Sequence, residues 1–318
     1  NAEDGIRYRS PSRGLGDVYK RQVSCKFLRV VPCRARRFVF FFCFGISVFF
    51  SGLCTRSLGA RVVFFWVVCV GSVVLTLWIV FFGVELVWRI DCAWLLLVNG
   101  VATLMMTILL YASLARGPVS VVAPIVAAHP ILVVLFWFTL GARPGLFQWL
   151  CIGGAIIGVI LVACSRSKAV RVRPDQRAYF QRTVLMALAA SFLYTLMVVA
   201  GQSAIPIYGE VQTVWLSRLI GLFLLTGFFV VRRKCPSVPF IWWPFLIVQG
   251  CLDMGGYLLL LAGSSGSGRE VAVVAASGFG VVTALLGRFV LKETVTVVQW
   301  TGVVLVFLGV GLLSGQGY

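Results

Sequence analysis

Residues 147–164, FQWLCIGGAIIGVILVAC, return 151 positions later as residues 298–315, VQWTGVVLVFLGVGLLSG. Gln148-Trp149 falls on Gln299-Trp300, Gly158 on Gly309 and Leu161 on Leu312, without a gap. Matches among Val, Leu and Gly come cheaply in an apolar chain, but a Gln-Trp dipeptide opening the same run twice does not. The register extends upstream, laying Gly117 on Gly268, Val122 on Val273 and Leu140 on Leu291. The same shift carries the sixth and seventh apolar runs onto the first and second. The chain reads as two tandem copies of one unit.

That unit is too apolar for water. Hydrophobic residues make up 60% of the 318 and charged residues 12%, with a mean hydropathy of +0.99, whereas a soluble domain is about half apolar and about a quarter charged. Apolar runs of around 20 residues, each able to span roughly 30 Å of hydrocarbon as a helix, recur at about 37–54, 62–85, 93–114, 118–140, 147–164, 183–202, 211–231, 241–262, 270–290 and 296–314. The expected fold is an all-α integral membrane protein of about ten transmembrane helices. Short connections at Arg116-Gly117 and Gly141 to Gly145 turn their helices straight back as antiparallel hairpins. The longest connection, residues 165–182, carries Arg166, Lys168, Arg171, Arg173, Arg177 and Arg182 against Asp175 alone. It divides a first five-helix repeat over 23–164 from a second over 183–318. Five is odd, so the two copies lie in opposite senses in the bilayer, and such inverted repeats characterise secondary transporters with sites near the midplane.

Residues 1–22 stand apart. They are polar, rich in Gly, Arg and Ser, lack an apolar signal-peptide core, and end in Asp17-Val18-Tyr19-Lys20-Arg21-Gln22. They resemble translated adaptor sequence, the alternative being a disordered tail, and are set aside from the fold.

Several function classes fall away. The net charge of +18 would point to nucleic acid in a soluble protein, but the basic residues sit in the tail and between the apolar runs, where lipid head groups meet them. Nucleic acid is therefore not an expected partner. Ten cysteines include no C-x-x-C pair and accompany a single histidine, which removes metal-ligand spacing and leaves small apolar thiols. No metal or cofactor is expected. The Gly263 to Gly268 run lacks the preceding strand and the G-K-[ST] of a phosphate loop, so ATP hydrolysis is not expected either.

The segment Ala115-Arg116-Gly117-Pro118-Val119-Ser120-Val121-Val122-Ala123-Pro124-Ile125 runs on through Pro130 and Leu140-Gly141 to Gln148-Trp149 and a Gly-rich fifth helix. It resembles the repeat of the EamA-like group within the drug/metabolite transporter superfamily. The second copy matches through Leu291-Lys292-Glu293-Thr294, Gln299-Trp300 and a closing helix with Gly302, Gly309 and Gly311. Ala142 departs from the family, which has Glu there, as Glu293 does in the second copy. The first helix also lacks the family's Trp-Gly-Ser start. The resemblance covers about residues 37–314. It implies a multi-pass carrier or exporter of small metabolites or drugs in the plasma (bacterial inner) membrane, monomeric or homodimeric, with both termini in the cytosol. The charge count points the other way: that topology leaves the basic linker, Arg232-Arg233-Lys234 and Lys292 facing out, against the positive-inside rule.

Ionisable groups inside hydrocarbon cost a few kcal/mol each by insertion scales, so they mark candidate substrate-binding residues. Asp253 is the one acid near the middle of a span, with Gln249 and Tyr257 four residues to either side on one helical face. Arg218, in the context Val214-Trp215-Leu216-Ser217-Arg218, is the other buried charge. Two readings stand side by side: a structural pair with Asp253, or direct substrate contact. An Asp253 alone on the cavity would couple transport to protons. Allowing a one-residue gap, Gln249-Gly250 corresponds to Asn99-Gly100, so the halves offer matching amides to one cavity. His129 lies between Pro124 and Pro130, prolines that free backbone carbonyls, with a helix-to-helix hydrogen bond as the plainer role. Tyr194 and Trp215 add aromatic wall or simply pack. Gly154 and Gly158 form a G-x-x-x-G step for close helix packing. Two further classes are an intramembrane enzyme, for which no catalytic residue set is found, and a membrane scaffold or receptor, which would carry a large extramembrane domain.

Overall fold

Hydrocarbon offers backbone amides no water, so an apolar run within it must satisfy its own N–H and C=O groups as helix. The computed structural model describes residues 33–139, 145–164, 174–233, 235–263, 279–292 and 296–315, and among them no strand occurs. The first half holds α1 (Cys33–Leu58), α2 (Ala60–Phe82), α3 (Ala93–Arg116), α4 (Val119–Ala127), α5 (His129–Thr139) and α6 (Leu146–Cys164). The second holds α7 (Pro174–Tyr208), α8 (Glu210–Val231), α9 (Trp243–Gly263), α10 (Phe279–Phe289) and α11 (Val297–Gly315). Five helices are long and apolar enough to cross a membrane, and five shorter apolar stretches complete the set among the described residues. The chain is a helical membrane protein of two inverted five-span repeats.

Two spans differ from the reading of the sequence. The fourth, expected as one helix over 118–140, breaks at Ala128 into α4 and α5. Pro130 has no N–H to give and its ring crowds the carbonyl four residues back. That carbonyl belongs to Val126, and the imidazole Nδ1 of His129 donates to it at 3.2 Å instead. The sixth begins at Pro174, so residues 174–182 of the basic connection are already helical. Long basic side chains reach toward head groups from a helix end. Residues 264–278, which hold the Gly-rich run and the start of the ninth span, lie outside the described residues.

Turn geometry sharpens the repeat. Gly59 and Gly209 cap α2 and α8 at φ 84° and 76°, a left-handed region where only glycine is at ease. Gly83 and Arg233 follow those helices at φ 58° and 49°. Each then leads into a single 3-10 turn, Ile90–Cys92 in one half and Phe240–Trp242 in the other. All these pairs are 150 residues apart, whereas α6 and α11 start and end 151 apart. The uniform shift of 151 expected for the first two spans is thus corrected to 150, the second half having gained one residue between its third and fifth helices.

Packing obeys the same exchange. α3 lies along α7 as α1 lies along α9, and α8 meets α3 as α2 meets α9. α2 with α8 and α6 with α11 are each their own counterparts, which puts a two-fold axis in the seam between the halves. The approaches to the third helices are held reciprocally as well. Gln212 of α8 bonds both backbone groups of Val87 at 2.8 Å, while Trp66 of α2 donates to the Pro236 carbonyl at 2.8 Å. At the α6 and α11 contact, a Cβ on Gly158 would stand 2.6 Å from the Gly302 carbonyl oxygen, but one on Gly154 would meet open space among the described residues. Only Gly158 of the expected pair is a packing glycine.

Gly158→Val therefore forces backbone apart and should destabilise by about 1–3 kcal/mol. Gly154→Ala should leave thermal melting of the solubilised protein unchanged, and equal effects of the two would refute this contact.

Candidate functional site

The described cavity in the seam has a volume of about 30 Å³, room for roughly two waters. Its wall is built of symmetry mates. Phe44 of α1 and Tyr194 of α7, Val68 of α2 and Arg218 of α8, Thr103 of α3 and Asp253 of α9, and Thr107 and Tyr257 on the same two helices are each 150 residues apart, and all eight line it. The cavity thus sits on the two-fold axis. Its chemistry is not symmetric, because Val68 and Thr103 stand where the second half carries charges.

Arg218 and Asp253 form an ion pair, Nη2 to Oδ2 at 2.6 Å, with side chains 4% and 21% exposed. Mutual neutralisation is what makes two charges tolerable away from water. Gly71 makes the space: a Cβ there would lie 2.7 Å from Arg218 Nη1. The guanidinium Nε has no partner among the described residues, and Asp253 keeps part of its surface toward the cavity. Both members of the pair therefore still have capacity to bond a solute.

The two amides expected to share the cavity do not line it and instead bond across the seam. Asn99 Nδ2 donates to the Met197 carbonyl at 2.7 Å and to Tyr257 Oη at 2.8 Å. Gln249 Nε2 donates to Ser51 Oγ at 2.7 Å and to Tyr111 Oη at 2.9 Å. A step from Asn99 forward to Tyr111 along α3 is a step backward from Tyr257 to Gln249 along α9, so these helices cross antiparallel, as inverted copies require. His129 is buried one ring behind the wall, stacked on Tyr194 with centroids 3.9 Å apart, and its Nε2 lacks a partner among the described residues. Trp215 does not line the cavity; its indole N–H donates to Thr76 Oγ1 at 2.9 Å.

Sequence reasoning passed over Tyr111, Ser51 and Gly71. Ser47, Ser51 and Thr55 recur at intervals of four, a polar stripe on one face of α1 that was there to be read. Tyr111 and Gly71 gave no signal, since their partners lie on distant helices.

A model of the EamA-like transporter family matches residues 38–164 and again residues 181–315. The chain belongs to the EamA-like transporter family. The two matches fall on the two halves, and the family is one of membrane transporters of the drug/metabolite type. Among solved structures, 25 chains match. One, described as "Crystal structure of protein", is 16% identical, covers 87% of this chain and 97% of its own, and superposes with a TM-score of 0.60. At that identity it speaks for the fold alone. No curated protein matches the sequence significantly.

Arg218→Met or Asp253→Leu alone strands a charge and should cost about 3 kcal/mol, the low end for a buried pair because Asp253 stays 21% exposed. The double variant should recover most of that loss in a thermal melt. Simple additivity of the two losses would show that the charges do not depend on each other.

Proposed function

We propose that this EamA-like protein is a secondary transporter or exporter of small solutes, metabolites or drugs, across the plasma (bacterial inner) membrane by alternating access around the Arg218–Asp253 cavity. The observation that carries this reading is the position of the ion pair, in a cavity on the axis relating two inverted halves. A cavity of about 30 Å³ is too small for a metabolite, so loading requires the halves to part at one end. The wall offers one cation, one anion, the hydroxyls of Thr103, Thr107, Tyr194 and Tyr257, and the ring of Phe44. That mixture suits a compact solute with polar and apolar faces.

Asp253 is the residue proposed to couple transport to protons. When protonated it releases its hold on Arg218, and the freed guanidinium takes the solute's acceptor groups. Return of the carboxylate recloses the pair and expels them. Proton and solute thus bind and leave together through a single side chain.

Metabolites retained by expressing and non-expressing cells should differ in at least one small solute, and Asp253→Asn should abolish the difference. Unchanged export by Asp253→Asn would remove that residue from the site. In proteoliposomes, transport of the same solute should follow an imposed pH gradient in the wild type, and indifference to the gradient would exclude proton coupling.

A further inference from the structure

Every side-chain hydrogen bond made by the two buried amides crosses from one half to the other. Asn99 belongs to the first half and bonds Met197 and Tyr257 of the second. Gln249 belongs to the second half and bonds Ser51 and Tyr111 of the first, while Ser47 Oγ approaches the Gln249 carbonyl at 3.4 Å. The ion pair behaves oppositely, since Arg218 and Asp253 both belong to the second half. Relative motion of the halves leaves the ion pair whole but cannot leave both amide clusters whole.

The two clusters also bracket the cavity. On α3 the cavity-lining Thr103 and Thr107 fall between Asn99 and Tyr111, and on α9 Asp253 falls between Gln249 and Tyr257, with Tyr257 and Leu260 lining the cavity at that end. Because α3 and α9 are antiparallel, the Asn99–Tyr257 rung is at one end of the cavity and the Gln249–Tyr111 rung at the other. Both amides are wholly buried, so a broken rung must be resatisfied by entering water. Their anchors differ in kind and in number. Gly201, the mate of Ser51, lacks a side chain: a Cβ there would come within 3.0 Å of Asn99 Nδ2. Asn99 therefore takes a backbone carbonyl where Gln249 takes a hydroxyl. Each amide nitrogen makes two bonds, but Asn99 Oδ1 also accepts from Tyr257 Oη at 3.1 Å while Gln249 Oε1 has no partner among the described residues, so the Asn99 end is held by one bond more.

We propose that the Asn99–Tyr257 and Gln249–Tyr111 rungs are the two gates of the carrier, each sealing one end of the Arg218–Asp253 cavity and each opening while the other holds. This rests on the carrier reading above and assigns the residues that alternate. Both rungs are made in this structure. Weakening one rung should tilt the population toward opening at that end, and weakening the other should tilt it toward the opposite face.

The test uses the full chain with its native cysteines replaced and a single reporter, Thr107→Cys, in sealed vesicles of known orientation. A membrane-impermeant maleimide is applied from each face with no solute present. Tyr111→Phe should raise labelling from one face about fivefold, the shift expected for one net hydrogen bond of about 1 kcal/mol, and Tyr257→Phe should raise it from the other face by more, since two bonds are lost. Gln249→Leu should repeat the first result and Asn99→Leu the second, and gel filtration checks that each variant is folded. Labelling that rises from the same face for both rungs, or that does not change for either, overturns the gates and makes the rungs static struts. Opposite-face labelling in a protein that moves no solute would keep the gates and sink the carrier reading. Solute transport with same-face labelling would do the reverse.

Discussion

Asn99 and Gln249 lie where no water reaches them, so their amide hydrogens must be satisfied by protein, and each finds its partners in the opposite half of the chain. That constraint organises the rest. It ties α3 to α9 at two levels, through Tyr257 at one and Tyr111 at the other, and leaves a polar space between the two rungs. Gly201 is small because Asn99 stands against α7, and Ser51 is polar because Gln249 needs an acceptor on α1. The two-fold relation therefore extends to the two amides, 150 residues apart, but not to the side chains that bond them.

Within this symmetric frame the charges are unequally placed. Val68 and Thr103 occupy, in the first half, the stations of Arg218 and Asp253 in the second. A duplicated unit supplied the cavity, and one copy alone carries the ion pair. Since the pair joins α8 to α9, it travels as part of one half. The other half presents hydroxyls and apolar surface to it, and Gly71 of α2 provides the room the guanidinium needs. A solute bound there would meet charge on one wall and neutral groups on the facing one.

Much of this was legible in the chain because the bilayer admits few solutions. Apolar runs bounded by basic residues had to be helices, and the Gln-Trp dipeptide gave away the duplication. Asp253 and Arg218 drew notice as charges where charge is costly. The break at Ala128 was less visible, because Pro124 and Pro130 sit in an apolar run long enough for one span, and it is the His129 side chain that takes up the freed Val126 carbonyl. The step from 150 to 151 between the copies was legible at Asn99 and Gln249 but was not carried back to the first two spans, as the strongest matching residues all fell in the last two helices of each half. Tyr111 could not be found at all from local pattern, since its partner Gln249 is 138 residues away. Trp215 drew notice for its context, but its indole is engaged by Thr76 outside the cavity wall.

All of these relations require the halves to cross the membrane in opposite senses, and the basic residues between spans argue for a different sidedness from the one the family implies. The opposition of the halves is independent of which face is cytosolic. Sidedness reporters inserted between residues 165 and 173 and fused after Tyr318 measure it directly. Five spans separate the two positions, so the account predicts that they report opposite faces of the membrane, whichever those are. Reporters found on the same face would contradict the inverted repeat, and with it the shared cavity on the axis.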